Sequence, residues 1–351
     1  MNLTKKKWKD FFIGGKEGVF IITSTSSGID KNKLNMEGSD PLIPYITRSE
    51  IENGINLFIS NNQNKKYLCD EGNVITIGLD TQTVFYQPYK FFTGQNIQVL
   101  RHPKLNSNIS LFLIPLLKIQ MKKFNWGGNG ATLGRLVKTK MMLPVDDKSN
   151  PDWAFMDAYI KEKYQNKKIE YQNYAYNIIK KIKYKEILSL EDKKWKAFML
   201  HTICNIESGR DIYENERLEG NIPYITSTSV NNGIKYYVSN KNETIESNAI
   251  SVNRNGSVGY AFFHKYKALY SNDCRKLKLK SNKNEYVALF LTNQIMQQKV
   301  KYNYGYKMGT GRLKKQYIML PINDNKDPDY EYMEQYIKNL IYKKYKEYLK
   351  N

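Results

Sequence analysis

The chain has 351 residues and a formal charge of +21, with 55 lysine and arginine residues against 34 aspartate and glutamate residues. Its content of 41% apolar and 13% aromatic residues is too high for a disordered chain, and the length suffices for two or three folded domains. Residues 1–176 carry a net +8 and residues 177–351 a net +13, so the charge belongs to both halves. A polyanion is therefore the expected partner, although an AT-rich coding bias towards lysine is an alternative source of the charge.

Nucleic acid is favoured over an anionic membrane because no strongly apolar amphipathic stretch accompanies the charge. The start of the chain has no apolar leader region, and no later window approaches a membrane-spanning length, so a cytoplasmic protein is expected. Cys69, Cys204 and Cys274 lie far apart without a C-x-x-C motif, which predicts free thiols.

Internal repetition is the main organising feature of the sequence. Ile-Pro-Tyr-Ile-Thr at 43–47 returns at 222–226, an offset of 179, and Gly-Arg-Leu at 134–136 returns at 311–313, an offset of 177. Near the start, Lys-Trp-Lys with Phe12 resembles a second Lys-Trp-Lys with Phe198. An offset this long exceeds a solenoid unit, so each copy is a whole domain and the chain is a tandem duplication.

Each copy begins with short β-like runs. Ile51 to Ile59 and Val230 to Val238 each contain an Asn-Gly pair, which predicts a hairpin turn within the run. Further strands are predicted at 74–77, 83–86 and 249–252.

The middle of each copy is predicted to be a helix, over 110–121 and 285–301, followed by a glycine-rich loop. These loops, at 126–130 and 304–311, also contain aromatic side chains, and basic residues surround both. The basic residues are Lys122, Lys123, Arg135 and Lys138 around the first loop, and Lys299, Lys301, Lys307, Arg312, Lys314 and Lys315 around the second. Aromatic, glycine-rich loops bordered by lysine and arginine are typical of nucleic-acid binding, although the same lysines could merely solvate a helix end.

Each copy is predicted to end in a helix. Asn150-Pro151-Asp152 and Asp327-Pro328-Asp329 offer a capping residue, a proline at the first helical position and an acidic residue in the first turn. The first helix is predicted to run about 34 residues, from Asp152 to about 185, with an apolar stripe that packs on another helix.

Motifs for catalysis are missing. His102, His201 and His264 are the only histidines and form no metal-ligand spacing, so surface positions are predicted for them. The sequence has no G-x-S-x-G elbow, no Walker A loop and no amino-methyltransferase motif. Two Pro-Asp pairs resemble the start of a nuclease motif, but helix capping explains them and no suitably placed E-x-K follows.

The duplicated blocks resemble the specificity (S) subunits of bacterial restriction–modification systems over nearly the whole chain. The resemblance rests on the early Trp-x-x-Phe, the Ile-Pro-Tyr-Ile-Thr strand with its Asn-Gly-Ile, the Gly-Arg-Leu to Leu-Pro stretch and the closing Pro-Asp helices. Type I subunits usually have Leu-Pro-Pro-x-x-Glu-Gln before each helix, whereas this chain has Leu-Pro-Val-Asp-Asp and Leu-Pro-Ile-Asn-Asp. That form is more similar to type IIB systems and to the recognition domains of type IIG enzymes.

The resemblance implies an α+β fold of two tandem target recognition domains, each followed by a long helix, with the two helices packed as an antiparallel pair. The expected boundaries are a first domain at 1–150, a spacer helix at 151–186, a second domain at 187–327 and a closing helix at 328–351. The implied function is recognition of double-stranded DNA with an asymmetric, two-part sequence.

The chain itself is expected to be non-catalytic and to bind no cofactor. S-adenosylmethionine and Mg²⁺ are expected in the partner, a methyltransferase or a fused nuclease–methyltransferase, contacted mainly through the helix pair. A stand-alone DNA-binding protein, such as a repressor or anti-restriction factor, and an unrecognised enzyme are the alternatives.

Candidate contact residues follow from loop position and side-chain chemistry, because Arg, Asn, Gln, Ser and Thr read base edges whereas Lys mostly binds phosphates. The base-contact candidates are Arg48, Gln82, Asn129, Ser227, Arg254, Asn255 and Thr310. The candidates for phosphate contact or loop bracing are Lys122, Lys123, Arg135, Lys138, Lys301, Lys307, Arg312 and Lys314.

Overall fold

A computed structural model describes residues 1–38, 42–125 and 127–350. The chain divides into two compact units, Met1–Glu170 and Tyr171–Asn351. This boundary falls inside the long helix Trp153–Lys181, so each unit contains part of that helix.

The first unit is a mixed α/β structure. Its elements are β1 (Trp8–Phe12), β2 (Ile21–Ser24), β3 (Ile43–Ile46), β4 (Ile55–Ile59), β5 (Val74–Gly78), β6 (Val84–Gln87), β7 (Phe92–Thr93), β8 (Ile97–Arg101), α1 (Ser107–Met121), α2 (Leu133–Leu136), β9 (Lys140–Pro144) and α3 (Trp153–Lys181). The strands form three sheets in the orders β2-β8-β5-β6, β4-β3-β7 and β1-β9. The strands predicted at 74–77 and 83–86 are confirmed as β5 and β6.

The core of the first unit lies between the four-stranded sheet and helix α1. All five residues of β5 are buried, because this strand is paired on both sides and packs against α1. Helix α1 begins where the Asn106 side chain accepts a hydrogen bond of 2.9 Å from the Ile109 N–H. Its buried face carries Leu113 and Leu117, and burial of this apolar area is the main stabilising force for the arrangement.

The second unit has the same strand order. Its elements are β10 (Trp195–Met199), α4 (Leu200–Ile203), β11 (Cys204–Ser208), β12 (Glu219–Ile225), β13 (Ile234–Val238), β14 (Ala249–Asn253), β15 (Ala261–His264), β16 (Leu269–Tyr270), β17 (Cys274–Leu279), α5 (Glu285–Met296), α6 (Thr310–Lys315), β18 (Tyr317–Pro321) and α7 (Tyr330–Tyr348). Its sheets are ordered β11-β17-β14-β15, β13-β12-β16 and β10-β18. The tandem duplication and the mixed helix-and-sheet architecture predicted from the sequence are confirmed.

The strand pairing corrects one of the residue matches that the sequence suggested between the two copies. Trp8 pairs with Pro144 and Phe11 with Met141 in the first unit. In the second unit Trp195 occupies the first position of the matching strand, and Phe198 the fourth. Phe11, rather than Phe12, is therefore the counterpart of Phe198.

The predicted hairpins exist, but the Asn-Gly pair does not sit between their strands as a two-residue turn. Strands β3 and β4 are joined by residues 47–54, and Asn53 and Gly54 end this loop with positive φ values of 55° and 79°. A Cβ on Gly54 would lie 3.2 Å from the Thr47 carbonyl oxygen and from Ile46 Cγ2, so the close return of the chain favours glycine. The strand prediction over 51–54 was therefore wrong, and the same geometry recurs at Asn232 and Gly233.

The helix-start predictions also require correction. The capping residues are Asp152 and Asp329 rather than the predicted Asn150 and Asp327. Their side chains accept hydrogen bonds from the N–H groups of Phe155 and Tyr332, at 2.9 and 3.0 Å. Each preceding proline lies in an isolated β-bridge, with Val145 or with Ile322. This extended pairing keeps the prolines outside the helices.

Helix α3 has 29 residues and ends at Lys181, earlier than predicted. Beyond it, the buried Asn339 side chain of α7 bonds both the backbone N–H and the carbonyl of Lys185, at 3.2 and 2.6 Å. The backbone groups of Lys185 are therefore hydrogen-bonded to a side chain of α7 rather than within a continuing helix.

The helix pair is antiparallel, as predicted. Within the second unit, the Tyr171 ring meets the Tyr348 ring at 4.7 Å, whereas the later residue Tyr184 meets Tyr342 at 5.5 Å. Residue numbers rise along α3 and the segment that follows it, whereas the numbers of the α7 residues that they contact fall. The two segments therefore run in opposite directions.

Substituting Asp152 with alanine is expected to lower the free energy of unfolding of the first unit by about 1–2 kcal/mol, the usual cost of losing a helix cap. The change also breaks the 2.6 Å ion pair with Lys6. Although burial disfavours the carboxylate, hydrogen bonds from Lys6 and the Phe155 N–H hold the pKa of Asp152 below its usual value. The stabilisation is therefore present above the ordinary carboxyl pKa, near about 4, and is lost as the pH falls below it.

Urea unfolding, followed by labelling of the half-buried Cys69 thiol, measures this effect in the first unit. Asp147 is exposed and makes no hydrogen bond within the described residues, so Asp147→Ala is the control and should leave the unfolding free energy unchanged. Equal midpoints for Asp152→Ala and the control would contradict the capping role.

Candidate nucleic-acid interface

Three loops of the first unit converge, and together they form the first junction: residues 47–54, residues 79–83 and a third loop of residues 122–125 and 127–132. Arg48 of the first loop forms an ion pair with Asp80 of the second. The Ala131 N–H of the third loop donates a 2.9 Å hydrogen bond to the Leu79 carbonyl of the second. The junction therefore brings together four candidates from three separate loops: Arg48, Gln82, Asn129 and Lys123.

Arg48 and Gln82 differ in how available they are to a ligand. The Arg48 side chain is 42% exposed, and within the described residues its guanidinium bonds only Asp80. The Gln82 amide instead donates to the Leu79 and Asp80 carbonyls at 3.0 and 2.7 Å, and its φ is +55°. Gln82 therefore holds the shape of its turn and has only its side-chain oxygen uncommitted.

Arg135 braces the glycine-rich loop of the first unit. Its two terminal nitrogens donate to the Gly130 and Gly128 carbonyls, each at 2.9 Å. The Asn129 amide donates to the Lys123 carbonyl at 3.0 Å, which closes the base of the same loop. Trp126, which belonged to the predicted aromatic loop, lies outside the described residues.

Lysine side chains surround this loop without being engaged in it. Lys122, Lys123 and Lys138 are exposed, and Lys123 Nζ donates to the Gln120 side chain at 2.6 Å. Exposed lysines of this kind can move to meet phosphates at little cost.

The second unit has an equivalent second junction, formed by residues 226–233, 254–260 and 297–309. The Ser257 N–H donates to the Ser227 carbonyl at 3.0 Å, which joins the first two loops. Lys299 Nζ lies 4.3 Å from the centre of the Tyr260 ring and so joins the third. A groove of about 570 Å³ opens beside this junction and includes Ser227 and Asp273 in its lining.

Arg254 and Asn255 are both held by Asp273, which precedes β17. Arg254 Nη2 lies 3.9 Å from the Asp273 carboxylate, and the Asn255 amide donates to that carboxylate at 3.2 Å. Within the described residues, Arg254 Nε and Asn255 Oδ1 are buried without a hydrogen-bond partner. Such orphaned polar atoms are costly, and a ligand that pairs with them would recover that energy.

The third loop of the second junction is aromatic and basic. The Tyr302 and Tyr306 rings stack with centroids 5.5 Å apart, and the Arg312 guanidinium lies 4.0 Å above Tyr306. Arg312 also donates to the Lys307 carbonyl at 2.8 Å, so it braces its loop as Arg135 does.

The remaining candidates lie in this loop or directly after it. Lys307 Nζ lies 4.8 Å from the Tyr304 ring, and Lys301 Nζ donates to Gln298 at 2.7 Å. Thr310 begins α6 and is half-buried, whereas Lys314 is exposed.

The prediction that the histidines are surface residues was wrong for two of the three. His264 is fully buried and lies 2.8 Å from Ser251 Oγ, while His102 is half-buried and stacks on Trp153 at 4.0 Å. His201 is exposed. The His264 and His102 rings contribute to packing, because each lies against an aromatic or hydroxyl neighbour.

Sequence reasoning did not identify Asp80 as the partner of Arg48, nor Asn96 and Asp273, which lie beside the junctions, as the partners of Asp80 and Asn255. Asp80 and Asn255 are both the second residue after a central strand, and Asn96 and Asp273 both immediately precede the next strand of the sheet. The exchange of acid and amide between these paired positions was a signal that could have identified them.

Within the described part of the chain, no group of three acidic, histidine or cysteine residues could hold a metal ion. The described helices include none with the length and apolar character required to cross a bilayer. The three cysteines are free, as predicted.

Two stretches of the chain, residues 5–171 and 192–351, match the family model for the type I restriction modification DNA specificity domain. The chain belongs to this family. A curated relative, the specificity subunit S.BcgI of a type II restriction enzyme from Heyndrickxia coagulans, is 36% identical over 334 residues. That match covers 94% of each chain.

One solved structure shows the same fold, and a second aligns more weakly. The S subunit of a type I restriction–modification system from M. genitalium aligns with a TM-score of 0.50 at 15% identity, covering 100% of this chain and 94% of that one. The HsdS subunit from Thermoanaerobacter tengcongensis aligns with a TM-score of 0.34 at 12% identity, covering 98% and 90%.

Proposed function

We propose that this specificity-family protein is the non-catalytic subunit that reads an asymmetric, two-part sequence in double-stranded DNA. One observation carries the proposal: both units bring the same three loops together, but the exposed side chains of those loops differ. Arg48 in the first junction corresponds to Ser227 in the second, and Asn129 has no identical counterpart. Different side chains on a common scaffold would read different half-sites.

The family membership favours this role over a stand-alone repressor or anti-restriction factor. The curated relative is named a specificity subunit and matches nearly the full length of this chain. Seven side chains are proposed as base contacts: Arg48, Gln82, Asn129, Ser227, Arg254, Asn255 and Thr310. Eight are proposed to contact phosphates or brace loops: Lys122, Lys123, Arg135, Lys138, Lys301, Lys307, Arg312 and Lys314.

The proposed partner is a methyltransferase or a fused nuclease–methyltransferase in the cytoplasm, which would supply S-adenosylmethionine and Mg²⁺. The Leu-Pro-x-x-Asp segments support the fused form, because they resemble those of type IIB and type IIG systems, in which the partner is a fused nuclease–methyltransferase. The proposed contact surface is a groove of about 840 Å³ along the helix pair in the second unit. Its walls include the exposed apolar side chains Leu289 and Leu340, and exposed apolar surface of this kind is typical of protein interfaces.

Selection from random duplex DNA with the full-length chain tests the recognition function. The enriched sequences should share one motif with two unlike halves at a fixed separation. Binding should weaken steeply with salt because many lysine and arginine contacts release counterions from DNA. A chain that binds DNA without any enriched motif would contradict the proposal.

Substituting Leu340 with glutamate is expected to abolish co-purification of the methyltransferase partner while leaving the selected DNA motif unchanged. Leu340 is 43% exposed, so the substitution places a charge in the groove without entering the core. Affinity purification from the native host, with partners identified by mass spectrometry, measures the effect. Leu68→Glu is the control because Leu68 is 64% exposed and lies in the first unit; equal recovery with both variants would place the partner elsewhere.

A further inference from the structure

Each unit contains one arginine that is held at its junction by a carboxylate. In the first unit Asp80 pairs with Arg48 and also accepts a 3.4 Å hydrogen bond from the Asn96 amide. In the second unit Asp273 pairs with Arg254 and accepts a 3.2 Å hydrogen bond from the Asn255 amide. The two units thus share a pattern of one arginine, one carboxylate and one amide.

The carboxylate and the amide have exchanged places between the units. The loop after the central strand carries Asp80 in the first unit and Asn255 in the second. The position before the neighbouring strand carries Asn96 and Asp273, respectively. The hydrogen bond between the two positions is kept, but the negative charge lies on opposite sides of it.

The arginine comes from a different loop in each unit as a result. Arg48 belongs to the loop between β3 and β4, and the matching position in the second unit is Ser227. Arg254 directly follows β14, and the matching position in the first unit is Leu79.

A second arginine, Arg275, lies close to Arg254 and Asp273 beside the second junction. Arg275 is 4% exposed, and its Nη1 donates to the Asn272 and Cys274 carbonyls at 2.8 and 3.0 Å. Burial and the nearby Arg254 lower the pKa of the Arg275 guanidinium. Within residues 1–38, 42–125 and 127–350, the Nε atoms of both arginines are buried without partners. Arg254 is the one of the two with exposed surface, since 29% of its side chain is accessible to a ligand that presents acceptors.

We infer, on the basis of the proposed function, that each half of the target contains a G·C pair read by a carboxylate-held arginine. Arg48 reads the guanine of one half, and Arg254 reads the guanine of the other. Asp80 and Asp273 are positioning residues: each carboxylate forms an ion pair with its arginine and leaves N–H groups of the guanidinium for the base. Guanine suits this arrangement because its major-groove edge offers two acceptors, N7 and O6, to the paired donors of arginine.

Substitution by lysine separates base reading from phosphate binding. Lysine keeps the positive charge but lacks the planar pair of donors that matches guanine. Arg48→Lys and Arg254→Lys in the full-length chain should each weaken the guanine preference at one position by about 5- to 150-fold. Affinity for unrelated DNA should remain unchanged, because the phosphate attraction is retained.

Each of the two lysine variants serves as the experimental control for the other. Arg48→Lys should alter one half of the motif only, and Arg254→Lys the other half only, when each is used in selection from random duplex DNA.

The double substitution Asp80→Asn with Asn96→Asp moves the carboxylate of the first unit to the position that it occupies in the second unit. It should weaken guanine preference at the same position as Arg48→Lys and leave the second half intact.

The outcomes distinguish this inference from the proposed function. A wild-type motif that survives both lysine substitutions would overturn the inference and leave the recognition function standing. A uniform loss of affinity, with all base preferences unchanged, would assign the arginines to phosphates and also overturn it. A wild-type chain that selects no motif would overturn the recognition function together with the inference.

Discussion

Arg135→Ala is expected to weaken binding of the selected target by about 10- to 150-fold. Arg135 joins the Gly128 and Gly130 carbonyls through two hydrogen bonds of 2.9 Å and thereby fixes the glycine-rich loop that contains Asn129. Hydrogen bonds from a charged group contribute about 1.5–3 kcal/mol, and each 1.4 kcal/mol corresponds to about tenfold in affinity. Without the brace, the loop must be ordered again each time DNA binds, at a cost in conformational entropy.

Titrations of the selected target and of unrelated DNA, at several salt concentrations, distinguish bracing from phosphate contact. Lys138 is exposed and makes no hydrogen bond through its side chain within the described residues, so Lys138→Ala is the matched control. Loss of a phosphate contact weakens both DNAs alike and lowers the salt slope by about one. Arg135→Ala should mainly weaken the selected target. The same uniform pattern for both variants would contradict the bracing role.

Acid is expected to destabilise the second unit through His264. The ring is fully buried, and burial lowers the pKa of His264 to about 4, from an ordinary value near 6.5. Because the folded state favours the neutral ring, its contribution is complete above about pH 6.5 and is lost as the pH falls towards 4. Between pH 7 and pH 4 this difference amounts to about 3 kcal/mol of unfolding free energy.

The first unit supplies the control for His264. Gln87 is the last residue of β6, as His264 is of β15, and its amide donates to Thr76 at 3.2 Å where His264 meets Ser251. His264→Gln should therefore keep a polar partner while removing this titration. In this variant the second unit should lose about 3 kcal/mol less stability than wild type between pH 7 and pH 4.

Thiol labelling during urea unfolding measures the stability of the second unit separately from that of the first. Cys204 and Cys274 are buried in the second unit, and Cys69 reports on the first. A pyridyl disulfide reagent is suitable because it reacts with thiols in acid. Identical pH profiles for wild type and His264→Gln at both buried cysteines would show that the ring does not control acid sensitivity.

The duplication was readable from the sequence because its blocks return at a nearly constant offset. The run of β-branched residues at 74–77 was likewise sufficient to predict a strand, which the structure shows as β5. The starts of the long helices were misplaced by two residues, since a Pro-Asp pair fits both a capped helix and an extended bridge. Only the pairing of Pro151 with Val145 and of Pro328 with Ile322 decides between these conformations.

The candidate site, too, could be predicted only in part from the sequence. Loop positions and side-chain types were enough to select Arg48, Arg254 and Asn255 as candidates. Their partners were not predictable, because Asp80 lies 32 residues from Arg48, and Asn255 lies 18 residues from Asp273. Contacts over such separations depend on how the sheet returns the chain.

By itself, the sequence determined the basic charge, the two homologous copies, the family and the loops that carry candidate contact residues. These features are local or periodic, so residue type and spacing are sufficient to define them. The tertiary structure alone decided which of those side chains are committed to bracing and which arginine is held by which carboxylate. Those outcomes depend on strand register and loop closure, where a shift of one residue changes every partner.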